Sequence, residues 1–146
     1  MYPLLVGTHN VMRWVVVVLA IYALVRVYMG WLGKKEFTET DRKALSFYSI
    51  GLDIQVLLGL ILYFMGSWFN VFGNMGSASG EMRFFGVEHI TMMLVAVVLA
   101  HLGVVMTKKQ TTSPAKFKRA AIFVTLSVLA VLVGIPWQYS SLIPSF

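Results

Sequence analysis

Three histidines lie in or beside long apolar runs of this chain, and two of them, His9 and His89, have a charged neighbour within helical reach. His9 stands four residues before Arg13, so in a helix the two share a face. His89 follows Glu88, and His101 lies in the same apolar run as His89. Asp53 interrupts a second run. Ionisable groups inside hydrocarbon are costly, so each marks either a functional site or a buried polar contact. Two chemistries suit the set. A pair of neutral imidazoles from facing helices at one depth is the ligand pattern of a transmembrane b-type haem. Asp/His chains are the pattern of intramembrane proton relays.

Helical arithmetic divides these residues into two layers. His89 and His101 are twelve residues apart, which separates them by roughly 18 Å along a helix and about 120° around it, so they face different partners. The outer layer holds His9, Arg13, Glu88 and His89. Here His9 and His89 are the candidate haem ligands, Arg13 is the candidate partner of a propionate, and Met92 and Met93 are candidate edge contacts. The bland alternative is an Arg13–Glu88 ion pair with two hydrogen-bonded histidines, His9 sitting at the fraying start of its helix. The inner layer holds Asp53 and His101. Ser46, Ser49 and Asp53, at i, i+3 and i+7, make a polar stripe toward that level. A proton path along it competes with a buried Asp53–His101 hydrogen bond joining the second and third helices, the commoner use of such pairs.

The elements that must position these groups follow from composition. Of 146 residues, 58% are hydrophobic and 12% charged, against roughly a quarter charged in soluble domains. Four apolar stretches reach the ~20 residues needed to cross a bilayer: about 11–30, 44–66, 85–106 and 120–136. The expected fold is therefore all-α, an integral membrane four-helix bundle forming one transmembrane domain over residues 1–146. No basic leader or small-residue cleavage site marks the start, so the first run is read as a mature helix. The chain has no cysteine, which excludes disulfides and thiolate chemistry.

The net charge of +6 is not evenly spread. Lys34, Lys35, Arg42 and Lys43 lie between the first two runs, and Lys108, Lys109, Lys116, Lys118 and Arg119 between the last two. Between the middle runs only Glu81 and Arg83 are charged. The positive-inside rule places both basic loops in the cytoplasm and both termini in the periplasm. Such charges contact lipid headgroups, and nucleic acid is not an expected partner. Thr38 with Asp41 reads as a capping box, Ser113-Pro114 as a helix start, Pro136 as a helix end, and Asn74–Gly80 as an exposed loop tip. Gly51, Gln55 and Gly59, then Ala96, Ala100 and Gly103, then Ala130 and Gly134 read as faces for close helix contact. No metalloprotease, phosphate-loop or Ser/His/Asp motif is present, so the chain is read as non-catalytic.

The stretches THNVMRW (Thr8–Trp14), GWLGKKEFTETDRK (Gly30–Lys43), IQVLLGLILYF (Ile54–Phe64), MRFFGVEHITMML (Met82–Leu94), AKFKRAAIF (Ala115–Phe123) and IPW (Ile135–Trp137) resemble a family of small bacterial four-helix membrane proteins often labelled "cytochrome B". The resemblance implies a haem b with histidines matching His9 and His89. The family commonly carries a further histidine early in the second helix, where this chain has Asp53, and this chain adds His101. A chain of this size also looks like an accessory subunit of a bacterial electron-transfer assembly such as alternative complex III. The leading expectation is accordingly a non-catalytic accessory subunit without a cofactor, packed on other membrane subunits of a respiratory or photosynthetic quinol-oxidising complex in the bacterial inner membrane, with lipid or menaquinone at its edge. The alternative is a b-type cytochrome carrying electrons between quinol and a partner.

Overall fold

Helix α1 runs from Tyr2 to Leu32, about nine residues earlier than the apolar run alone indicates. Pro3 explains the early start: its ring presets the helical dihedral, and its missing N–H is one the first turn does not need. His9 consequently lies about two turns inside the helix, not at a fraying end. Helix α2 spans Glu39–Met65 behind the Thr38–Asp41 capping box, which is formed. A 3₁₀ segment, Trp68–Gly73, precedes helix α3 over Gly80–Lys108. Helix α4, Ser113–Gly134, is capped by the Thr112 hydroxyl, one residue before the expected Ser113. It ends with Ile135 in extended backbone, the conformation that the following Pro136 enforces.

These helices come from a computed structural model in which residues 1–139 are described. All four are long and apolar enough to cross a membrane, and the chain is a multi-pass membrane protein. Each helix packs on its two ring neighbours, in the order α1–α2–α3–α4 and back to α1. Outward faces carry large aliphatic side chains, such as Val18, Val25, Ile54, Leu57, Val98 and Leu129. The buried faces carry small ones, Ala23, Ala96, Ala100, Ala120 and Ala121 among them. In lipid, large apolar groups gain nothing by turning inward, whereas small ones let backbones approach.

Two polar links hold the interior. The Tyr48 hydroxyl of α2 meets the Ser127 hydroxyl of α4 at 2.9 Å, and Ser127 donates to the Ala96 carbonyl of α3 at 2.7 Å. Near the basic end Arg26 of α1 pairs with the buried Asp41 of α2 at 2.8 Å. Asp41 also accepts from the Thr38 backbone N–H at 2.9 Å, so the capping acid doubles as an interhelix tie.

The tightest helix approach lies at Gly30, where a Cβ would stand 2.2 Å from the ring of Phe117. Phe117 is buried against Phe37 and cannot swing aside. Gly30→Ala should therefore lower stability by about 1–3 kcal/mol, the usual cost of overpacking, read as an earlier unfolding midpoint in detergent.

Candidate functional site

At the end of the bundle away from the basic loops, the helices part around a cavity of about 340 Å³. His9, Asn10 and Arg13 of α1, Gln55 and Gly59 of α2, and Glu81 and His89 of α3 all line it. Small-molecule sites start near this size and share its make-up, a mostly apolar wall with a few convergent polar groups.

The local structure of α3 delivers His89 there. Its first turn is α-helical, Phe84–Glu88 form a π-turn, and regular helix resumes at His89. A π-turn admits one extra residue and is frequent at functional sites. Two contacts hold it. Tyr63 of α2 donates to the Gly86 carbonyl at 2.9 Å. Gly86 also abuts the 3₁₀ segment so closely that a Cβ would meet Val71 at 2.7 Å and the Trp68 carbonyl at 2.8 Å. Glu88, about 100° around the helix from His89, is exposed and does not line the cavity. The expected Arg13–Glu88 ion pair does not form. Glu81, one turn before the π-turn, is the acid that lines the cavity instead.

Across the cavity the rings of His9 and His89 stand 6.3 Å apart between centroids, at 74° to each other. His89 Nδ1–H donates to the Gly134 carbonyl at 2.6 Å, which leaves Nε2 as the lone-pair nitrogen. This contact exists because α4 and α3 touch at Gly134, where a Cβ would meet Met93 at 2.3 Å. The Gln55 amide donates to the His9 carbonyl at 3.1 Å and lies 3.3 Å from His9 Nε2, while His9 Nδ1 is buried without a hydrogen bond. Gly59 lies against the His9 ring. Arg13 is only 8% exposed and lies 5.8 Å from the Trp14 ring centroid. Met93 lines the cavity and Met92 does not.

The residues suit a haem b on four counts. Two imidazoles come from different helices, one has its tautomer fixed by a backbone acceptor, their spacing leaves room for a metal between them, and a guanidinium lines the same space. Gln55 is the partner that the sequence reading missed, having been taken as part of a packing face.

The inner pair forms, but not as the buried contact expected of it. His101 Nε2 and Asp53 Oδ1 are 2.8 Å apart. The two side chains are 50% and 40% exposed, so the pair lies on the outer surface of α2 and α3 and not inside the bundle. The serine stripe does not continue from it: Ser49 is buried and its hydroxyl donates to the Leu45 carbonyl at 3.1 Å. Nothing therefore links Asp53 to the basic end by way of Ser49.

Comparison of the chain with protein-family models, with curated proteins and with solved structures gives no match.

The exposed pair makes a measurable claim about its own strength. A double-mutant cycle with Asp53→Leu and His101→Phe should give a coupling of about 0.5–1.5 kcal/mol, the range for interhelical polar pairs in membranes, read from unfolding midpoints. A coupling of zero would mean that the two side chains act independently.

Proposed function

We propose that the chain is a small membrane b-type cytochrome that carries electrons between a quinol and a partner protein, in which His9 and His89 would hold one haem. The observation that carries this reading is the 6.3 Å separation of the two imidazoles across a shared cavity. Two imidazoles bound on opposite sides of one metal, each at roughly 2 Å, have centroids about 6 Å apart. Bound haem supplies one-electron reduction and oxidation. The residues around it have separate tasks. The Gly134 carbonyl holds His89 in the tautomer that presents Nε2. At His9 the Gln55 amide lies 3.3 Å from the ring Nε2, and its bond to the His9 backbone keeps α1 and α2 in register. Arg13 neutralises a propionate, and apolar Phe85, Ile90 and Met93 exclude water.

Charge distribution supports the setting. The basic loops favour the cytoplasmic side, which puts the cavity near the periplasmic face of a bacterial inner membrane, with both termini periplasmic. A reduced-minus-oxidised spectrum of the purified protein tests the reading directly. A b-type α-band is expected, lost in His89→Ala and in His9→Ala and kept in Gln55→Leu. Its absence from well-folded wild-type protein sinks the proposal.

A second reading, a non-catalytic accessory subunit of a quinol-oxidising complex such as alternative complex III, is favoured by the Asp53–His101 pair. A half-exposed acid and imidazole at membrane depth are costly facing hydrocarbon and much less so under another subunit. Purification in mild detergent should then recover further membrane subunits with the chain. Migration as a free monomer would count against this reading and leave the haem proposal standing.

A further inference from the structure

The basic end of the bundle has a second, smaller concavity, of about 50 Å³, that the electron-carrying reading does not use. It opens between α2, α3 and α4 where the two basic loops emerge, at the level of the lipid headgroups if the helices span the membrane. Three cations line it, one from each helix: Arg42, Lys108 and Lys116. Arg42 spends its Nε and Nη2 on Glu39, which leaves Nη1 available. Lys116 is held 5.6 Å over the Phe37 ring, so its ammonium is positioned by an aromatic face.

The wall between these cations contains Thr107, 3% exposed, whose hydroxyl has no hydrogen-bond partner. A helical threonine ordinarily satisfies itself on the carbonyl one turn back, and a buried unpaired hydroxyl is costly. An unsatisfied donor beside three cations, one of them already neutralised by Glu39, calls for an oxygen-rich anion. We infer that this concavity binds the phosphate of an anionic phospholipid, with Lys108 and Lys116 neutralising it, Arg42 Nη1 at its rim and the Thr107 hydroxyl donating to it. The lipid source follows from position: the site opens at the edge of the bundle, and the exposed apolar Leu102 and Val105 of α3 lie on the membrane side of it, where acyl chains run.

Thermal unfolding of the full chain in a neutral detergent, with added phosphatidylglycerol, phosphatidylcholine or sodium phosphate, tests this. Phosphatidylglycerol should raise the midpoint, and neither of the others should. The double variant Lys108→Gln/Lys116→Gln should lose most of that rise, while Lys118→Gln/Arg119→Gln, equal in charge change at exposed positions, should keep it. Thr107→Val, close to isosteric, should weaken phosphatidylglycerol binding roughly fivefold without lowering the midpoint of the lipid-free protein. It carries the test should the lysine variant fail to fold. Equal losses in the two charge variants would overturn the site in favour of diffuse surface charge. A rise produced by inorganic phosphate would overturn the lipid. Unchanged lipid affinity in Thr107→Val would overturn the role of the hydroxyl.

Discussion

The hydrogen-bonded chain from Tyr48 through Ser127 to the Ala96 carbonyl is the constraint on which the interior depends. Hydrocarbon offers no partner to a polar group, so a hydroxyl at the centre of the bundle is costly unless it finds one inside. Tyr48 and Ser127 are both fully buried, and together they fix the mutual height of three helices. They also cross the bundle on the α2–α4 diagonal, where the ring of neighbour contacts provides nothing. The space at one end therefore stays separate from the smaller concavity at the other. A bundle held only by alanine faces would be free to slide by a turn. One held by a three-centre polar chain is not.

Around that centre the two ends are built differently. Toward the basic loops the packing is tight: Phe117 fills the gap against Gly30, Arg26 pairs with Asp41, and the Phe37 backbone N–H donates to the Ser113 hydroxyl at 2.9 Å, joining the two loops. At the opposite end histidine, glutamine and arginine face a shared space among large aromatic side chains such as Tyr63, Trp68 and Phe85.

Much of this could be read from the residues. Long, predominantly apolar runs made the four helices visible, because hydrophobic length defines a span. Thr38–Asp41 was legible because a capping box is a local code. The meeting of Asp53 with His101, and of His9 with His89, followed from rise per residue and alternating helix direction alone. The start of α1 was missed because hydropathy marks where apolar character begins, whereas Pro3 and the backbone decide where the helix does. Gln55 was missed because its spacing with Gly51 and Gly59 looked like packing, and only the third dimension shows that His9 lies over it. Glu88 was misassigned because it was grouped with His89 by adjacency, whereas successive residues of a helix point about 100° apart. Arg26 as the partner of Asp41 left no local trace, since the two lie on different helices.

An unbroken helix is a rigid screw: whatever turns one end turns the other. The π-turn at Phe84–Glu88 works as a phase offset in that screw. Beyond it, α3 is set by Ala96, Ala100 and Gly103, which are buried in the bundle. Before it, the helix tip is set by the 3₁₀ segment and by the bond from Tyr63 to Gly86. The two demands need not agree on one azimuth, and a single surplus residue absorbs their difference. The angular position of His89 is thereby tuned by the junction, independently of the seam that keeps the four helices together.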